Sequence, residues 1–134
     1  MIILSRGKNM PHTKPQYAAF FGPSDNLGLQ RTQAGAEELL VDIVNQANRT
    51  ANAKQSMNQM FNGQGKATGL YTYGGLPVWH ASSGNGQKSV SLFYTVLGAT
   101  AQIVAVGEHV TGNSYSLEWG RTSGPFKAKA TLTI

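Results

Sequence analysis

From residue 66 to the C-terminus, short runs alternate between apolar and polar residues and break repeatedly at glycine, the period of two that strands satisfy. Residues 70–73 and 76–80 flank Gly74-Gly75, a dipeptide suited to a tight hairpin, and Pro77 is expected to put the second arm at a sheet edge. After a flexible connection at 82–86, runs at 88–97, 101–110, 114–119 and 126–134 are separated by turns at Gly98, at Thr111-Gly112-Asn113 and at 120–125. These runs predict a four-stranded antiparallel meander following the hairpin. In the last run Phe126, Ala128, Ala130, Leu132 and Ile134 share one face, and Lys127, Lys129, Thr131 and Thr133 the other. The second face is wet and basic. It is either a solvated surface whose lysines discourage edge-to-edge aggregation or a track for phosphates.

Residues 34–62 follow a helical period instead, with Leu39, Leu40, Ile43, Val44, Ala47 and Ala51 recurring on one face. Thr32 is the expected cap, and Glu37 and Glu38 suit the positive end of the helix. The pattern gives one long helix or two short ones broken near Asn48-Arg49-Thr50, stopped in either case by Gly63 and Gly65. Met57, Met60 and Phe61 supply a core face or, alternatively, a methionine-rich surface for a partner. Before residue 34, Pro11, Pro15 and Pro23 interrupt the aromatics Tyr17, Phe20 and Phe21, which predicts irregular structure with at most an edge strand at residues 1–4. The expected architecture is one α+β domain over residues 1–134. Its irregular basic segment (1–33) leads into an N-terminal helical layer (34–62) packed on a twisted antiparallel meander (66–134).

A chain of 134 residues suits a single domain, and an apolar share of 40% argues against disorder. No apolar run approaches the roughly 18 residues needed to span a bilayer, so no membrane insertion is expected. Without cysteine there is no disulfide framework and no thiolate metal site. The apolar stretch at residues 1–4 is too short for an export signal; action outside the producing cell implies carriage within a larger polypeptide. The net charge is +5, from eleven basic and six acidic residues, and the acids cluster. Asp25, Glu37, Glu38 and Asp42 precede or enter the helix, and none follows until Glu108. Both termini are basic, a field that favours nucleic acid or an acidic protein as partner.

Chemistry concentrates at Gly107-Glu108-His109-Val110, Tyr115 and Arg121, which bring an acid, a base, a phenol and a cation near the ends of adjacent strands. Cleaving RNA requires a base for the 2′-hydroxyl proton, an acid for the departing 5′-oxygen and cations for the charge developing on phosphorus. Glu108, His109, Arg121 and Lys88 can divide these roles; histidine suits either proton-transfer role, and arginine grips phosphate through paired hydrogen bonds, while the structural alternatives are a strand-end His109 hydrogen-bonded to a loop and a surface-loop charge at Arg121. A regular pleat would aim Glu108 and His109 at opposite faces unless Gly107 hosts a bulge, and alternation assigns Tyr115 and Trp119 to the core. His80 follows Trp79, as a second histidine, as half of a base-stacking pair or, more economically, as part of a partly exposed aromatic pair on the hairpin. His12 lies in the proline-rich segment and is expected in solvent. The three histidines lack metal-ligand spacing, so no metal or other cofactor is expected.

The sequence SLFYTV at 91–96, LGAT at 97–100, AQIVAVGEHV at 101–110 and Tyr115 together resemble the central hairpin and following strand of RelE-type toxins, grouped with barnase, EndoU and colicin nucleases. The resemblance covers about 25 residues. It implies a metal-independent ribonuclease cleft on a twisted sheet backed by N-terminal helices, with His109 and Tyr115 at the family's site positions and Arg121 as a looser match. It also implies a toxin domain acting in the cytoplasm, in some cases after delivery into a target bacterium, and neutralised by an acidic immunity or antitoxin protein. The strand entering the hairpin bears only Lys88 where RelE-type enzymes carry several basic groups, so free RNA and tRNA stand beside ribosome-bound RNA as substrates. Two alternatives remain: a noncatalytic nucleic-acid-binding module using Tyr71, Tyr73, Trp79, His80, Lys127 and Lys129, or a structural assembly protein.

Overall fold

The glycine-punctuated runs fold as strands of a single curled sheet, backed by two helices. A computed structural model describes residues 11–23 and 28–134; the expected edge strand at 1–4 lies outside them, as do Arg6, Lys8 and Asp25. In chain order the elements are β1 (Tyr17–Phe20), α1 (Gln33–Val44), α2 (Thr50–Phe61), β2 (Lys66–Tyr73), β3 (Leu76–Ser83), β4 (Val90–Leu97), β5 (Thr100–Thr111), β6 (Ser114–Gly120) and β7 (Thr131–Thr133). Strands β2 to β7 are hydrogen-bonded in sequence order, an antiparallel meander. The class is α+β, but the helical layer does not open the fold, because β1 precedes it.

Strand β1 corrects the expectation of irregular structure before residue 34. Along one side β5 pairs with β4, whereas β6 covers the other side only over residues 105–111. The backbone at 100–103 would be left unpaired on that side, and β1 fills the gap in parallel, from Tyr17 opposite Thr100 to Phe20 opposite Ile103.

The Gly74-Gly75 hairpin forms as expected, both glycines at positive φ. Pro77 does not place β3 at an edge, since β3 lies between β2 and β4. Pairing with β4 starts only at Trp79, so the missing N–H of Pro77 faces no neighbour there. The final run also differs from expectation: only Thr131–Thr133 is strand, after a 3-10 turn containing Pro125 and a left-handed Lys129 (φ 58°). The alternation of burial survives, with Phe126 and Leu132 inside and Lys127 and Lys129 exposed.

Two short helices form. The first ends where Asn45 turns left-handed (φ 52°), a common helix stop. Thr32 occupies the cap position without a side-chain cap bond, and Glu37 and Glu38 fall beyond the first turn. Leu40 and Val44 of α1, with Met57 and Met60 of α2, pack against Leu92, Tyr94 and Ile103 on the outer face of the sheet. Burial of both methionines rules out the partner-binding face. The inner face gathers Phe93, Val104, Leu117, Phe126 and Leu132, and the Tyr71 hydroxyl donates to the Thr133 carbonyl at 2.8 Å, drawing β2 toward β7 as the sheet curls.

His12 is also not in solvent: it is 3% exposed. Its Nδ1–H donates to the Thr13 carbonyl, which fixes the tautomer and leaves Nε2 to accept from the Tyr94 hydroxyl (2.7 Å) and the Gly65 amide (3.3 Å). Gly63 is required beneath it, because a Cβ would stand 2.6 Å from the His12 carbonyl and φ is +71°.

Arg49, at the junction into α2, is the largest fully buried side chain. Its Nε and Nη2 donate to the Ser89 carbonyl (3.1 and 2.8 Å), and Nη1 pairs with Glu118 at 2.9 Å. Replacing it by Met keeps volume but strips partners from a buried carbonyl and a half-exposed carboxylate. We expect Arg49→Met to lower unfolding stability by about 3 kcal/mol in urea titration, a large share of what a domain of this size holds.

Candidate active site

One end of the curled sheet, where β2 begins, β3 and β5 finish and β6 starts, carries a pocket of about 410 Å³. Lys66, His80, Ser82, His109 and Tyr115 line the sheet side. Period-two alternation on β3 sends His80 and Ser82 to the inner face and Trp79 to the helix side. Lys66 reaches the site because it pairs with His80 across the β2–β3 ladder, and His109 pairs with Tyr115 across β5–β6.

Both imidazoles pack on one phenol ring. His109 stacks on Tyr115 with centroids 4.8 Å apart and planes at 20°, while His80 meets the same ring edge-on at 5.6 Å and stacks on Phe93 at 6.0 Å. Tyr115, expected as core, is indeed 5% exposed, and it builds the wall between the histidines. Burial raises its hydroxyl pKa, partly offset by a hydrogen bond with Ser82.

The histidines differ in environment. His109 Nε2 donates to the Gly112 carbonyl at 2.6 Å, which fixes that proton and leaves Nδ1 to exchange one. Its backbone amide is held by Ser89 Oγ at 2.8 Å. His80 Nδ1 is buried without a hydrogen-bond partner. Burial first, then the charges of Lys66 and His109, lower the His80 pKa to about 4, so it stands neutral at physiological pH.

No family model, curated protein or solved structure matches the chain. The site therefore rests on its own geometry.

That geometry separates the expected residues. His109, Tyr115 and His80 converge; Glu108, Arg121, Lys88, Lys127, Lys129 and Trp79 do not line the pocket. Glu108 points to the helix face, as a regular pleat demands: β5 has no bulge between Glu108 and His109, which pair with the consecutive residues Ser116 and Tyr115. The bulge near Gly107 lies on β6, where Glu118 is the extra residue. Glu108 instead shares a hydrogen bond with Glu118, and burial together with that carboxylate raises its pKa against the opposing pull of Arg49.

Arg121 lies at the other end of the barrel-like curl, its amide bonded to Val104, five residues from His109 and so about 16 Å along β5. It donates to the Tyr73 hydroxyl at 2.9 Å and lies over that ring. Lys127 bridges to Arg121 and follows it away from the site. Lys88 sits in a 3-10 turn, and its carbonyl accepts from Asn52. Asn52 also accepts from Ser83, so the 82–86 connection is tied to α2. Trp79 packs on His12 at 5.2 Å against the helix-side core, whereas Tyr71 and Tyr73 pack against the inner-face core, so the three expected stacking rings stand in different clusters.

Lys66, Ser82 and the glutamines Gln55, Gln59 and Gln64 are the lining residues that sequence reasoning missed. Among the described residues no three His, Asp or Glu side chains gather as metal ligands, and no helix is long and apolar enough to cross a membrane.

The lowered His80 pKa carries a stability consequence. Between about pH 6.5 and about pH 4 the unfolded chain binds the His80 proton and the folded chain resists it, so this residue's contribution weakens the fold as pH falls through that window. Urea titrations at neutral pH and about pH 5 should show a smaller loss of stability for His80→Phe than for the parent; an equal loss would remove His80 as its source.

Proposed function

We propose that the chain is a metal-independent ribonuclease that cleaves RNA by general acid–base catalysis between His80 and His109. The observation that carries this reading is the meeting of two imidazoles on the Tyr115 ring inside one pocket beside Lys66. In this scheme neutral His80 takes the 2′-hydroxyl proton, the 2′-oxygen attacks phosphorus, and the P–O5′ bond breaks. His109, held through Nε2 by the Gly112 carbonyl and acting from its protonated form, delivers its Nδ1 proton to the departing 5′-oxygen. The products are a 2′,3′-cyclic phosphate and a free 5′-hydroxyl. Lys66 offsets charge on the equatorial phosphate oxygens.

The wider reading is a bacterial toxin domain acting on cytoplasmic RNA, tRNA included, and kept inert by an acidic immunity or antitoxin protein covering the basic pocket. The excess of positive charge on the chain supports it.

Purified protein incubated with total bacterial RNA in EDTA should yield discrete fragments ending in cyclic phosphate. His109→Ala and His80→Ala should each slow cleavage by about 10²–10⁴-fold while retaining the folded circular dichroism spectrum. In the parent, the acid limb of kcat/KM should fall near the free-enzyme His80 value of about 4. Full activity in either alanine variant would remove that histidine from the mechanism, and RNA bound without turnover would favour a noncatalytic binding module.

A further inference from the structure

The wall of the pocket facing the histidines is made of amides. Gln55 and Gln59 stand one helical turn apart on α2, and Gln64 follows in the link to β2. Their polar neighbours on α2 are used internally: Asn52 ties down Ser83 and Lys88, Asn58 accepts from Gln33, and Ser56 bonds the Ala53 carbonyl. The side-chain amides of Gln55, Gln59 and Gln64 make no hydrogen bond among the described residues. Three unengaged amides thus line the same cavity as Lys66 and the imidazoles.

We propose that Gln55, Gln59 and Gln64 form a nucleobase-reading wall that selects adenine next to the phosphate held by Lys66 and the histidines. The inference rests on the ribonuclease reading and names its specificity. A side-chain amide is uncharged, so it does not compete with Lys66 for phosphate, and it presents a donor beside an acceptor. Adenine offers the complementary pair at N6 and N7, which one glutamine meets through two hydrogen bonds. The corresponding edge of guanine shows two acceptors, N7 and O6. Cytosine and uracil can match only one amide through a single donor–acceptor pair, whereas adenine adds a second pair at N6 and N1, so that two glutamines can grip it from adjoining edges. Gln55 and Gln59, on successive turns of one helix, bring two such groups to the base from a rigid support. Gln64 adds a third from beside Lys66, close to where the phosphate would lie.

The test is equilibrium binding of fluorescent 2′-O-methyl tetranucleotides, UNNU with NN being AA, CC, GG or UU, followed by anisotropy. These lack the 2′-hydroxyl and cannot be cut. The parent protein should bind the AA oligomer about tenfold more tightly than the others. Gln55→Ala and Gln59→Ala should each lower that affinity toward the rest, and the triple variant with Gln64→Ala should abolish the difference. Equal affinity of the parent for all four, or an adenine preference surviving in the triple variant, would overturn the proposal. Because the oligomers are uncleavable, adenine preference without RNA cleavage in the EDTA assay removes only the ribonuclease reading. Cleavage without base preference removes only the amide wall.

Discussion

The buried guanidinium of Arg49 is the joint on which helices, sheet and site all depend. Excluded from water, it has to satisfy its donors inside the protein, and it does so by holding the Ser89 carbonyl with two of them and Glu118 with a third. Ser89 then passes the constraint on, because its hydroxyl accepts from the His109 amide while donating to the Gly86 carbonyl. A residue at the entrance to α2 is thereby connected through one serine to the backbone of a proposed catalytic histidine. The β6 bulge belongs to the same arrangement, since its extra residue is Glu118, and bulges commonly re-aim a side chain in this way. Gly107 is needed opposite it, because a Cβ there would run into the Ser116 carbonyl oxygen.

Curling of the sheet gives the two faces unequal work. The outer face is sealed by α1 and α2, and the inner face fills itself with aromatic and aliphatic side chains from β3 to β7. At one end the filling gives way to His80, Ser82 and His109, and a pocket opens; at the other, Arg121 caps Tyr73. Charged groups that look close along the chain are therefore separated by the length of the barrel-like curl.

Local patterns made much of this readable. The Gly74-Gly75 hairpin, the meander order and the face assignments of Glu108 and His109 all follow from strand periodicity, and each emerges in the structure. What escaped depends on pairings that no local window contains. Lys66 is the clearest case. Continued in register from Tyr73 opposite Leu76, β2 would set Lys66 against Ser83, but residues 68–71 face Val78 alone, and this insertion brings Lys66 to His80. Gly69 at φ 78° and the Thr68 hydroxyl bonded to the Val78 carbonyl accommodate the extra residues. His12 and β1 were missed for a related reason: a proline-rich segment reads as irregular until the vacancy beside β5 and the acceptor needs of Tyr94 and Gly65 are known.

The electrostatics of the pocket turn on where the carboxylates are not. Glu108 neighbours His109 in sequence, yet the pleat carries it to the far face, where it and Glu118 share the field of Arg49. Among the described residues no acidic side chain lines the pocket, so the charges of Lys66 and His109 act on His80 without a carboxylate beside them there and, after burial itself, help hold it neutral. An isolated imidazole with so low a pKa is a weak base. An incoming phosphate would offset the positive charge beside His80, that of Lys66 above all, and its negative charge would raise the His80 pKa as it binds. In the proposed cleavage His80 would thus become more basic only once the phosphate is bound. A carboxylate in the pocket would have raised the basicity of His80 permanently and, at the same time, repelled the phosphate.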